Sequence, residues 1–156
     1  IGAGGKSGML CSYEAKKRAG VTGKVIGLCH SARSTKRMMD LGFCDHVFSA
    51  DATQPVPVLE KIEELTNGQL CDVTINNVNI PDTEMTSILC TKDDGLVYFF
   101  SMATNFTKAA LGAEGVGSDV TMIVGNGYTK GHAEITLQLL RESEKLRKIF
   151  TELYAS

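Results

Sequence analysis

Five short strand-like runs mark the chain, at residues 24–28 (KVIGL), 46–50 (HVFSA), 71–78 (CDVTINNV), 96–100 (LVYFF) and 120–124 (VTMIV), and stretches of helical periodicity separate them. Strands that alternate with helices at this interval lie parallel, because each crossover helix returns the chain to the same edge direction. Such a sheet must be covered on both faces, so the pattern predicts a doubly wound α/β domain with three layers, α/β/α.

The intervening segments carry helix signals. Gly8, Cys11, Ala15 and Ala19 form a stripe of small residues that suits a helix pressed onto a sheet, and Gly20 stops it. Ser31 caps a second helix through Leu41, with Met38 and Leu41 facing inward and Gly42 ending it. A proline-started helix places Val58, Leu59, Ile62 and Leu65 on one face before Asn67-Gly68. Residues 84–90 place Met85, Ile88 and Leu89 on one side, and a turn at Asp94-Gly95 precedes the fourth strand. A short helix is expected over 107–111, and two more over 132–142 and 145–154, the last with a docking stripe of Leu146, Ile149, Phe150 and Leu153.

Ahead of the first helix stands GAGGKSG, residues 2–8, with Gly2, Gly5 and Gly8 three apart. Glycines there allow a sharp turn and close approach of backbone to a diphosphate, and the amides at the helix start hold an anion. Gly5-Lys6-Ser7 also resembles the end of a Walker A loop, whose earlier glycine would fall before Ile1. Lys6 either faces the phosphates or extends into water, and Ser7 either contacts them or caps. A phosphate loop follows a strand, so we expect a preceding strand from an upstream part of a longer chain.

Ligands of this fold bind beyond the carboxyl ends of the strands. The residues there are Cys29, His30, Ser31 and Arg33 after the first run, Asp51 and Ala52 after the second, and Asn76, Asn77, Val78 and Asn79 after the third. Ser101 and Met102 follow the fourth and GNGY (125–128) the fifth. A dinucleotide site usually has an acid for the adenosine ribose about twenty residues past the glycines. Cys29 occupies that position here, and Arg33 close by suits a 2′-phosphate, so NADP is favoured over NAD with both open. Asp51 either lines an adenine pocket or caps a turn. The asparagines need partners that a ribose, a carboxamide or a loop network can supply. His132 reads as structural or solvent-facing rather than catalytic, the catalytic residues are unknown, and no metal-ligand cluster or nucleophilic triad is defined.

The 156 residues suffice for one domain, 1–156, with a net charge of −2 and no basic run, which argues against nucleic acid and membrane as partners. Five cysteines, odd in number and without a C-x-x-C pair, read as reduced thiols in a cytoplasmic protein. The run 120–124 would be an edge strand with no charge or proline, so we expect a two-fold homodimer joined along it.

On these residues the chain resembles the coenzyme domain of the medium-chain dehydrogenases and reductases, through GAGGKSG and more specifically through VIGLCHSARS, CDVTINNVN, LQLLRES and the segment 97–134. The resemblance implies a Rossmann-like fold, NAD or NADP as coenzyme and a substrate domain upstream. Its narrower part implies oxidative deamination of a 3-amino group of a small amino acid to a ketone. Three other readings compete: an alcohol or quinone reductase on the same scaffold, a non-catalytic nucleotide-binding domain, and a P-loop phosphotransferase.

Overall fold

The computed structural model describes residues 1–125 and 128–155. Of the expected GNGY tip, Asn126 and Gly127 therefore lie outside the described residues. Twelve elements follow one another in the described residues, and strands and helices alternate through the first ten. They fall into two units, one holding Ile1–Gly2 and the residues from Ala50, the other Ala3–Ser49 and the residues from Tyr128.

In the unit from Ala3, helix α1 (Lys6–Ala19) precedes strand β1 (Ile26–Cys29), helix α2 (Ala32–Leu41) and strand β2 (His46–Ser49). β1 and β2 pair in parallel, from Ile26 against His46 to Cys29 against Ser49. α2 begins with a capping box, in which the Ser31 side chain accepts from the Ser34 amide and Ser34 reaches back to the Ser31 amide. It ends on Gly42 in the left-handed region (φ 71°), which closes bonds to Met38 and Met39. Helices α6 (His132–Glu142) and α7 (Glu144–Tyr154) complete this unit. Met9, Cys29, Met38, Leu41, Phe43, Leu139 and Leu146 form its core, with Ile149, Phe150 and Leu153 packed against it. The stripe on α7 is thus the docking surface its periodicity indicated.

In the other unit, α3 (Pro55–Thr66), β3 (Cys71–Asn76), α4 (Glu84–Leu89), β4 (Thr91–Phe99), α5 (Phe106–Val116) and β5 (Thr121–Val124) follow in turn. The sheet order is β3-β4-β5, all parallel. Ile88, Val97, Phe99, Ala109 and Ala113 are its core, with Met85, Val120 and Met122 against them. The largest departures from expectation are at two bounds. β4 starts at Thr91 because Cys71 already pairs with Thr91, and the register then slips before Val73 meets Leu96. Asp94 takes up the extra residues in a left-handed turn (φ 61°), its amide donating to the Asp119 carbonyl. α5 runs past Leu111 because Gly112 packs tightly on Met85, where a Cβ would lie 2.4 Å from the sulfur. That close approach is a gain in packing that helix propensity alone does not register.

Candidate functional site

The amino end of α1 is built to leave its amides free. Its cap residue, Gly5, is extended (φ −81°, ψ 173°), makes no side-chain cap, and no acid stands in the first turn. Intrahelical bonding starts with the Met9 amide to the Gly5 carbonyl at 2.9 Å, so the amides before it have no helical partner. With the helix dipole behind them they make an anion site.

What holds this end in place is Gly4, a residue absent from the sequence-based set. A Cβ on it would lie 2.6 Å from the Ser34 Cβ and 3.4 Å from the Cys29 sulfur, so only glycine fits between loop and helix. Its carbonyl accepts from the Arg37 guanidinium at 3.0 Å. Just before it, the Ala3 amide bonds the Leu28 carbonyl at 3.0 Å. The Gly2-x-Gly4 spacing was visible in the sequence, but the three-apart reading passed over it. Arg37 had no signal beyond lying on α2.

Cys29 is 1 % exposed, and its thiol turns inward beneath Gly4. Burial pushes its pKa up, against hydrogen bonds from Gly4, Ser34 and Thr35. His30, Ser31 and Arg33 follow as exposed residues. The Ser31 hydroxyl is engaged in the capping box, while the His30 carbonyl accepts from the Ser49 hydroxyl at 3.1 Å. Lys6 places its ammonium 4.3 Å from the centre of the Tyr154 ring, a cation–π contact. Gly8 is buried within α1.

In the unit from Ala50, Gly2 adopts φ +78°, and a Cβ there would lie 2.7 Å from Val78 Cγ2. The Asn77 amide donates to the Ile1 carbonyl at 3.0 Å, and the Ile1 amino group to the Ile75 carbonyl at 2.8 Å, which extends the parallel pattern along β3. Asn76 is fully buried. Its amide nitrogen donates to the hydroxyls of Thr83 (2.8 Å) and Ser87 (3.0 Å), and its oxygen accepts from the Val78 amide (3.0 Å). Of the partners considered for this side chain, the loop network is the one present.

Asp51 accepts from both the amide and the hydroxyl of Thr53, an Asx turn that leads into α3. Ala52 is buried, its carbonyl accepting from the Thr86 hydroxyl at 2.6 Å. The Ser101 hydroxyl takes the Ala103 amide, and Met102 is fully in solvent. Buried Glu84 holds this segment through the Asn105 amide at 2.7 Å. His132 donates from Nδ1 to the Thr129 carbonyl at 2.7 Å. Among the described residues no three His, Cys, Asp or Glu side chains gather as metal ligands, and no helix is long and apolar enough to cross a membrane.

The pattern of the family described as zinc-binding dehydrogenase matches residues 8–129. The chain is 59 % identical over 154 residues to the L-erythro-3,5-diaminohexanoate dehydrogenase of Acetoanaerobium sticklandii, and 55 % identical to the enzyme of that name from Fusobacterium nucleatum. Each match covers 99 % of this chain and 45 % of the relative, so the chain spans under half the length of these curated relatives. Among solved structures, Escherichia coli quinone oxidoreductase complexed with NADPH is similar with a TM-score of 0.60 at 21 % identity, over 97 % of this chain and 43 % of that one. A mycobacterial quinone oxidoreductase gives a TM-score of 0.66 at 16 % identity, over 96 % and 50 %. These likenesses show the fold, a Rossmann-like parallel sheet flanked by helices. With its loop, its alternation and this match over most of its length, the chain belongs to the zinc-binding dehydrogenase family.

Proposed function

We propose that this chain is the coenzyme-binding part of an enzyme that oxidatively deaminates L-erythro-3,5-diaminohexanoate to 5-amino-3-oxohexanoate and ammonia, within lysine fermentation in the cytoplasm. The similarity to two diaminohexanoate dehydrogenases over 99 % of the chain carries this reading. The uncapped end of α1, clamped at Gly4, supports it physically, because it offers amides to a diphosphate without a side chain in the way.

A nicotinamide coenzyme, when bound, supplies the hydride acceptor. The residues of this chain bind and orient it. The amides of Gly5, Lys6 and Ser7 take the diphosphate, with Gly2 and Gly8 shaping the loop. His30, Ser31 and Arg33 serve the adenosine ribose.

Arg33 makes no hydrogen bond or ion pair with the other described residues, so its charge is available to a 2′-phosphate, which favours NADP. Exposed Thr121, Ile123 and Val124 on β5 support a homodimer formed along that strand.

The test is an assay of the whole protein with L-erythro-3,5-diaminohexanoate and each coenzyme, following absorbance of the reduced nicotinamide and release of ammonia. Stoichiometric formation of both is the expected result. Turnover of alcohols or quinones without the diamino acid would overturn the assignment. Arg33→Ala should raise the Kd for NADP roughly tenfold or more and leave that for NAD unchanged.

A further inference from the structure

Between the glycine loop and α2 there is one polar contact that reaches across 33 residues, from the Arg37 guanidinium to the Gly4 carbonyl at 3.0 Å. The partly buried Arg37 is held on a helix whose first turn is fixed by the Ser31–Ser34 capping box and whose next residue, Met38, is fully buried. The guanidinium is therefore presented from a rigid element.

The consequence follows from the peptide bond. In a planar trans peptide the carbonyl of one residue and the N–H of the next point in opposite directions. Drawing the Gly4 carbonyl toward α2 therefore turns the Gly5 N–H the other way. That N–H opens the row of free amides at the head of α1. Without the contact, a Gly-Gly link has more backbone freedom than any other pair, and this peptide could flip. A cation behind the carbonyl also polarises the peptide and makes its N–H a stronger donor.

The other flank of Gly4 is closed by the Cys29 sulfur, which would lie 3.4 Å from a Cβ at that position. The position where a dinucleotide site usually has its ribose acid is therefore spent here on the loop. Arg37 also lines a groove with Arg33, Lys36, Lys145 and Lys148 against only Asp40 and Glu152 among the charged residues, which keeps the local potential positive.

We propose that Arg37 is a positioning residue for the coenzyme diphosphate, acting through the Gly4 carbonyl to set the Gly5 amide toward the phosphate. This rests on the coenzyme reading given above and adds to it a residue that does not itself touch the ligand.

The experiment uses the whole protein as wild type, Arg37→Met and Arg37→Lys, and measures binding of ADP-ribose and of adenosine by calorimetry and competition. Arg37→Met should weaken ADP-ribose about tenfold and adenosine less than twofold, the size of one hydrogen bond's preorganisation felt only by a ligand with a diphosphate. Arg37→Lys, which keeps one charged donor, should recover more than half of that loss on a logarithmic scale.

Equal weakening of both ligands by Arg37→Met, or none of either, overturns the proposal. Should Arg37→Met fail to fold, Arg37→Lys decides alone, with a loss of about one-and-a-half- to threefold for ADP-ribose only in favour, and an equal loss for both ligands or none for either against. If the wild type binds adenosine and ADP-ribose alike, the coenzyme reading falls first and the role of Arg37 with it.

Discussion

Asn76 offers the sharpest stability test, because a single buried amide organises the segment between β3 and α4. Its side chain spends both donors on the hydroxyls of Thr83 and Ser87, at 2.8 and 3.0 Å, and its oxygen on the Val78 amide at 3.0 Å. Asn76→Ala removes three hydrogen bonds, each worth about 1 kcal/mol net, and leaves the Val78 N–H without its acceptor. The removed atoms were fully buried, so a small void adds to the cost while the lost desolvation of the amide offsets part of it. The expected loss is about 3 kcal/mol, a fall in Tm of roughly 6–12 °C for a domain of this size. Asn76→Leu should lose as much, since its branched end would face two hydroxyls. Thermal unfolding followed by circular dichroism, together with urea titration, measures the effect. A Tm within 2 °C of wild type in Asn76→Ala would refute the argument, because it would mean that water serves these groups as well as Asn76 does.

Other consequences are independent of that residue. Gly4→Ala should cost about 1–3 kcal/mol by overpacking against Ser34, and it should weaken ADP-ribose binding more than Arg37→Met does; denaturant titration and calorimetry check both. Asp45 is held below the usual carboxylate range first by the Lys16 ammonium at 2.6 Å and then by the Val25 amide. Its contribution is therefore fully present above the unfolded value, about 3.9, and is lost as pH falls through the lower folded value. Both partners are part-exposed, so the amount is a few tenths to about 1 kcal/mol, and the Tm gap between wild type and Asp45→Asn should close as pH drops from 5 to below 3. Burial pushes the Cys90 thiol up to about 12, so in the native protein at pH 8 it should react with iodoacetamide far more slowly than after unfolding, as read by peptide mass spectrometry.

The alternation of strands and helices was legible because it rests on local patterns. Gly20, Gly42 and the Ser31 cap close or open their helices where the sequence indicates. The start of β4 was not, because it depends on a register slip opposite Asp72 rather than on any run of apolar residues. The length of α5 also escaped, since Gly112 looks like a breaker until Met85 is seen lying against it.

In the site, the exposed loop residues were legible from their place after each strand. The residues that hold them were not. Arg37 and Glu84 read as ordinary helix charges, and their bonds to Gly4 and Asn105 span 33 and 21 residues. Cys29 stood out as a missing acid, whereas the packing turns it under the loop as a support.

The central claim is that a diphosphate sits on the amides at the head of α1. Backbone ¹H–¹⁵N spectra of the whole protein, titrated with ADP-ribose and separately with adenosine, test it at those atoms. The account predicts large downfield shifts of the Gly5, Lys6 and Ser7 amides with ADP-ribose and small ones with adenosine. Saturation with ADP-ribose while these three amides stay in place would contradict it.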